Sequence, residues 1–257
     1  MKPLAALFHR NAWNVFRRNF DAWRKYAFSS VAINIFEPLA YFLAIGFGLG
    51  AYLTLGSSSL VQFIAPGMLG LAAMNAATFD ACWGAFERLN FSGVYESMVT
   101  APVDPLEIAA GEYLWQAFRA MLYGGIFLVV IASFGLVHSW WSLLSLPLLG
   151  LTGIVFAMPG FAVAMAVKFQ EHLFYYFSLV ATPMVMISGV FFPLDKVPYW
   201  LKAVAWCTPL YHSVNIFRGL VLGQFSWNLA GDLAWLLVAI GLFSYLPVRF
   251  LQNKLAR

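Results

Sequence analysis

Charge is what this 257-residue sequence has least of. Only 10% of its residues are Asp, Glu, Lys or Arg, and 62% are hydrophobic. Soluble domains carry about 25% charged residues. Leaving so much apolar surface in water would cost far more than the about 5–15 kcal/mol by which a domain is stable. Lipid is therefore the solvent for most of the chain. That excludes a cytosolic enzyme, a secreted disulfide scaffold, a disordered protein and a nucleic-acid reader, so no nucleic-acid partner is expected. Cysteine is almost absent. Cys82 falls near the inner end of an apolar run and Cys207 in an outer segment, so neither a disulfide nor a paired metal spacing is expected. The GxxxxGKS/T phosphate loop is missing, as are the GxSxG elbow and HExxH. His9, His138, His172 and His212 are dispersed. The sequence thus offers no catalytic residue, no metal ligand set and no cofactor site of its own. A membrane-embedded transferase with an atypical site stays open.

What is present is a series of long apolar runs. A bilayer core of about 30 Å takes roughly 20 helical residues to cross. Six segments qualify: 29–53, 61–86, 108–137, 141–167, 173–192 and 229–250. They are continuous, without the period-two alternation of a membrane barrel. The expected fold is an all-α integral membrane protein of six transmembrane helices. Gly46, Gly48 and Gly50 lie inside the first run, where small residues let helices approach closely.

Basic residues orient the spans. With both termini cytoplasmic, eleven of the fifteen Lys and Arg fall inside. These are Lys2, Arg10, Arg17, Arg18, Arg24, Lys25, Arg88, Lys168, Arg249, Lys254 and Arg257. Lys196, Lys202 and Arg218 fall outside, and Arg119 sits within a span. The first 28 residues hold six of the basic ones and no cleavable apolar core, so the N-terminus is expected to be retained. Within that stretch Leu4, Phe8, Ala12, Phe16, Phe20 and Trp23 recur at steps of three or four. Arg10, Asn14, Arg17, Asp21 and Arg24 take another face. This predicts an amphipathic helix at the cytoplasmic interface over residues 1–28, ahead of a six-helix domain over 29–257.

Ionisable groups at membrane depth are costly and mark functional candidates. Glu37, Asp80, Glu112 and Arg119 are those groups. Arg119 is expected to pair with Glu37 or Asp80. The pair either clamps helices or lines a hydrophilic entrance for a polar substrate. Trp140, Trp141, Tyr199, Trp200, Trp206 and Trp227 fit an outer interfacial belt. Tyr41, Tyr175 and Tyr176 are candidates for stacking on sugar rings.

Two connections stand out. The inner loop 87–107 holds a short semi-apolar helix from Gly93 to Thr100, ended by Pro102 and Pro105. It is either a docking element for a soluble partner or a capped connector. The outer segment 193–228 is too broken by proline for a span and too apolar for a free loop. Two short helices dipping back into the outer leaflet would account for it.

Several of these stretches carry a resemblance. Phe36-Glu-Pro-Leu-Ala-Tyr41 with Gly46-Phe-Gly-Leu-Gly50, Phe63-Ile-Ala-Pro-Gly67 and Glu96-Ser-Met-Val-Thr-Ala-Pro-Val103 are similar to segments of ABC-2 type permeases. So is Ser188-Gly-Val-Phe-Phe-Pro-Leu-Asp195 with Pro209-Leu-Tyr-His-Ser-Val214 and Arg218. The branch most resembled is the nodulation protein J type, permeases of lipo-oligosaccharide exporters. Asn215 departs from the pattern, where relatives often carry an acidic residue. The resemblance implies a permease without its own ATPase site, paired with a second copy as a homodimer in the bacterial inner membrane. It implies two ATP-binding-cassette subunits below, holding ATP and Mg, and a lipid-linked glycan cargo moved outward. Gly93, Val94, Tyr95, Glu96 and Met98 would form the coupling helix that meets the ATPase. Glu37, Asp80, Glu112 and Arg119 would shape the inner entrance. Phe191, Phe192, Pro193 and His212 would form the outer gate. The rival readings are an ion-coupled secondary transporter, a transferase on lipid-linked sugars and a passive scaffold subunit.

Overall fold

The computed structural model describes residues 5–52, 54–55, 58–101 and 103–255. Lys2, Leu4, Leu53, Pro102 and Arg257, invoked above, lie outside the described residues. The chain folds into helices α1 (Arg10–Arg24), α2 (Ala27–Gly48), α3 (Leu60–Asn90), α4 (Val94–Thr100) and α5 (Pro105–Ser133). There follow α6 (Trp140–Ala166), α7 (His172–Ile187), α8 (Tyr199–Trp206), α9 (Pro209–Leu222) and α10 (Asn228–Lys254). Among the described residues the one β pairing joins Thr54–Leu55 to Ser58–Ser59, an antiparallel ribbon before α3.

Among the described residues five helices (α2, α3, α5, α6 and α10) are long and apolar enough to cross a membrane. The fifth expected span is shorter: α7 is an apolar helix below the length of the other five, and the chain turns away at Gly189, whose φ is +79°. Local sequence sets the helix starts. Ser59 accepts from the Gln62 N–H at 3.3 Å, and Gln62 returns the bond to the Ser59 N–H at 3.3 Å. Asp104 accepts from the Leu106 N–H at 2.7 Å, Pro105 occupies the first turn, and Glu107 accepts from the Asp104 N–H at 3.0 Å.

α3 and α6 form the centre of the bundle. In their most apolar windows 78% and 72% of residues are buried, against 17% in α2 and 28% in α10. The last two therefore present apolar faces to lipid or to a partner, including Phe28, Ile33 and Phe36 on α2 and Leu242 on α10. One core cluster joins α2, α3, the outer half of α5, α7 and α9. A second joins the α4-side ends of α3, α5 and α6 to α4 and α10.

The outer segment folds as the two short helices expected of it. α9 packs on α3, where a Cβ on Gly70 would stand 3.2 Å from Val214 and 3.3 Å from Leu210. Gly70 lies roughly 15 Å along α3 at 1.5 Å per residue. At its other end the Val221 carbonyl accepts from the His138 N–H at 2.9 Å, beside the connection between α5 and α6. α8 and α9 are thus two arms of a hairpin whose tip lies among the spans.

α1 does not stand apart from the bundle. His9 Nδ1 lies 2.7 Å from Glu107 Oε1, Asn19 donates to Glu112 at 3.1 Å, and Trp23 Nε1 donates to Tyr123 at 3.1 Å. The partners advance together along both chains, so α1 runs parallel to α5. Gly111 permits the contact: a Cβ there would sit 2.5 Å from Val15 Cβ and 2.6 Å from the Ala12 carbonyl. The polar face of α1 is exposed as expected. The buried stripe differs from the apolar one read in the sequence, being Ala12, Val15, Asn19 and Trp23.

Candidate functional site

Among the described residues two groups of polar side chains stand out. The first is a closed charge cluster where α3, α4, α5 and α1 meet. Residues Asp80–Gly84 form a π-helical stretch within α3, a widening of the helix often found at functional sites. Asp80 there is buried and accepts from Gln116 Nε2 at 2.6 Å, Trp115 Nε1 at 3.0 Å and Arg88 Nη2 at 3.1 Å. Arg119 Nη1 stands 3.6 Å from its other oxygen, and Arg119 Nε donates to the Ala76 carbonyl at 3.2 Å. Arg88 Nη2 also donates to Glu112 at 2.9 Å. Asp80 and Glu112 thus face Arg88 and Arg119, and the formal charges balance. A buried charge cluster persists only when paired in this way. Gly84 leaves the room: a Cβ there would lie 2.7 Å from the Asp80 carboxylate and 3.0 Å from Arg88 Nη1.

α4 is tied into this cluster. Gly93, at φ +58°, reverses the chain after α3. Tyr95 then points inward and is fully buried. Its hydroxyl donates to Glu112 at 2.9 Å and accepts from Arg88 Nε at 3.2 Å. Burial first, and then the neighbouring Glu112 charge, push the Tyr95 phenol well above its ordinary range. This corrects the expectation that Tyr95 meets a soluble partner: its ring is inside, held there by two hydrogen bonds. Val94 and Met98 are half-buried against the inner core. The exposed face of α4 is Glu96, Ser97, Val99 and Thr100, with Phe91 beside it.

Glu37 is not part of the cluster. Of the two partners expected for Arg119, the structure selects Asp80 and not Glu37. Glu37 instead lines an apolar groove of about 490 Å³ between α2, α3 and α7. Asn34, Glu37 and Tyr41 share one face of α2, opposite Asn75 on α3 and Thr182 on α7. The remaining wall is aromatic and aliphatic, including Phe79, Trp83 and Phe177. Such a lining, apolar with a few converging polar groups, suits an amphipathic ligand. The four groups read together as an entrance are therefore divided between the groove (Glu37) and the buried clamp (Asp80, Glu112, Arg119). Of the three tyrosines considered for sugar stacking, Tyr41 faces this groove.

The outer residues divide as well. Phe191 lines the groove and meets the Tyr41 ring at 6.3 Å. Phe192 is exposed and Pro193 half-buried on the same turn. His212 points elsewhere. It is buried on the α10 side of α9, with Nδ1 2.6 Å from Asp232, Nε2 2.7 Å from the Trp206 carbonyl, and its ring stacked on Trp235 at 4.4 Å. It fastens α9 to α10, whereas Phe191 lies on the groove wall.

Arg88, Asn19, Gln116 and Asp232 are functional candidates that the sequence reading passed over. Arg88 had a signal, since Asp80, Gly84 and Arg88 lie four residues apart on one helix face.

The profile of the family described as "ABC-2 type transporter" matches residues 10–222. The chain is 34% identical over 245 residues to nodulation protein J of Rhizobium leguminosarum bv. viciae, covering 95% of this chain and 94% of that protein. It is 33% identical over 258 residues to nodulation protein J of Bradyrhizobium diazoefficiens, covering 98% of each. Inner membrane transport permease YadH of Escherichia coli is 27% identical over 187 residues, 71% of this chain and 72% of that protein.

Proposed function

The chain belongs to the ABC-2 type transporter family, and from that premise we propose that it is the permease half of an ATP-driven exporter. Two copies form the membrane conduit, and two ATP-binding-cassette subunits, which hold the ATP and Mg, dock below. The cargo is an amphipathic glycolipid, lipo-oligosaccharide or lipid-linked polysaccharide moved outward across the bacterial inner membrane. Both termini are cytoplasmic.

One observation carries this reading: α4 is an exposed helix whose inward anchor, Tyr95, is bonded to the charge cluster that joins α1, α3 and α5. A push on the exposed face of α4 moves Tyr95. Through Glu112 and Arg88 that displacement reaches the spans and the N-terminal helix together. The groove beside Glu37 accounts for the cargo class. Its apolar wall suits acyl chains, and Asn34, Glu37, Asn75 and Thr182 suit a polar head.

The test is reconstitution with a co-expressed ATP-binding-cassette subunit and a fluorescent glycolipid. Outward movement should require ATP. Val99→Asp, on the exposed face of α4, should release the ATPase while leaving the permease folded. Movement by the chain alone in vesicles lacking ATP would overturn the reading in favour of an ion-coupled transporter.

A further inference from the structure

A second cavity lies at the end of the bundle remote from α4. It has a volume of about 270 Å³ and sits between α9, the start of α10 and the connection joining them. Tyr211, Asn215, Arg218, Gln224, Ser226 and Asn228 line it, an almost wholly polar wall on an otherwise apolar protein.

Arg218 is the unusual member. Its guanidinium lies over the Phe63 ring at 4.0 Å, and Nη2 donates to the Gly189 carbonyl at 3.1 Å. Nε is buried with no acceptor. Among the described residues Arg218 forms no ion pair. Asp232, the one carboxylate in the lining, is turned to His212 at 2.6 Å. The pocket wall therefore includes a cation with no counterion among the described residues.

The rest of the lining fixes the kind of ligand. Asn215, Gln224 and Asn228 each present a planar amide with donor and acceptor side by side, the match for neighbouring hydroxyl groups. Trp227, almost fully exposed, and Phe225, braced on Trp141 at 5.6 Å, belong to the same connection and offer flat apolar faces. A cation without a counterion favours an anionic group, and on a sugar that group is a carboxylate. We propose that this pocket is a saccharide site that takes a sugar unit bearing a carboxylate, with Arg218 on the carboxylate and the three amides on ring hydroxyls. The proposal rests on the export reading for the source of the sugar: the glycan of a cargo leaving the outer end. The Gly189 turn held by Arg218 leads through Val190 to Phe191 on the wall of the groove, which links Arg218 to the groove.

The test uses the full-length permease with its ATPase partner in nanodiscs, probed with glucuronate and, as the neutral counterpart, glucose. Saturation-transfer NMR should show saturable glucuronate binding, with glucose weaker by roughly tenfold or more, as loss of a charge-assisted hydrogen bond implies. Arg218→Gln should abolish the preference. Asn228→Ala, at the exposed rim and clear of the helix packing, should weaken both sugars, with folding verified by thermal unfolding. Equal binding of the two sugars, or binding unaltered in both variants, would overturn the proposal. So would the absence of saturable binding in a complex that exports its cargo. Glucuronate binding in a complex that exports nothing would leave the site standing and remove the export reading instead.

Discussion

Arg88 and Tyr95 meet inside the fold at 3.2 Å, the guanidinium Nε donating to a phenol oxygen whose own proton goes to Glu112 at 2.9 Å. They lie on either side of the Gly93 reversal, so this contact folds α4 back onto α3. The exposed helix is fastened from within, and its surface is free to meet a partner.

Tyr95→Phe keeps the ring and removes both hydrogen bonds. Leaving buried partners unsatisfied costs about 1–3 kcal/mol. For a chain of this size that lowers the unfolding midpoint by roughly 2–4 °C per kcal/mol. The ATPase should still co-purify, because the exposed face of α4 is unchanged, but transport per ATP hydrolysed should fall. Scanning fluorimetry and a coupled export assay would check both halves.

Alkaline titration should show the same residue. The folded state holds the Tyr95 proton above the ordinary phenol range of about 10. Between the unfolded and folded values the native chain binds more protons, so stability falls as pH rises past about 10. Below that range Tyr95 contributes no pH dependence. The alkaline loss should be smaller in Tyr95→Phe than in the parent, measured as unfolding midpoint against pH.

Glu112→Gln leaves Arg88 short of a carboxylate in a buried site. Breaking such a pair from one side costs about 3–5 kcal/mol. Arg88→Met combined with Glu112→Leu removes opposite charges together and should recover much of that loss. Unfolding midpoints of Arg88→Met, Glu112→Leu and the double variant would measure the coupling.

Gly111→Val tests the docking of α1. A Cβ at this position collides with Val15 and with the Ala12 backbone. The expected outcome is α1 lifted from α5 and cut faster by added protease, while the spans stay folded. Val15→Gly in the same chain should restore only part of the protection, because the Ala12 carbonyl still blocks the approach.

The proposed orientation has its own check. Reporter fusions at Ser58, Asp104 and Lys202 should read outside, inside and outside. An inside signal at Lys202 would place the hairpin of α8 and α9 on the wrong face.

Much of the architecture follows from one-dimensional properties. Run length and continuous apolarity set the long helices, and Ser59, Asp104 and Thr208 set helix starts through bonds within three residues of themselves. Gly93 sets the start of the short helix α4. These are local effects, complete within a turn or two of chain. The outer hairpin was legible for the same reason, since proline spacing forbids a span while apolarity forbids a free loop.

Which charges meet was decided elsewhere. Arg88 reads as an inner-loop cation until α3 continues past Phe86 and carries it back under Asp80 and Glu112. Asn19 reads as a polar interruption until α1 lies along α5 and turns it to Glu112. His212 and Asp232 are 20 residues apart, and only the packing of α9 on α10 makes them a pair. Composition fixes that so hydrophobic a chain must place its helices in lipid. It does not fix which faces of those helices touch, because lipid tails and neighbouring helices are equally apolar partners. That choice falls to close packing at small residues and to the pairing of clustered buried charges such as Asp80, Arg88, Glu112 and Arg119, and both exist only once the helices are assembled.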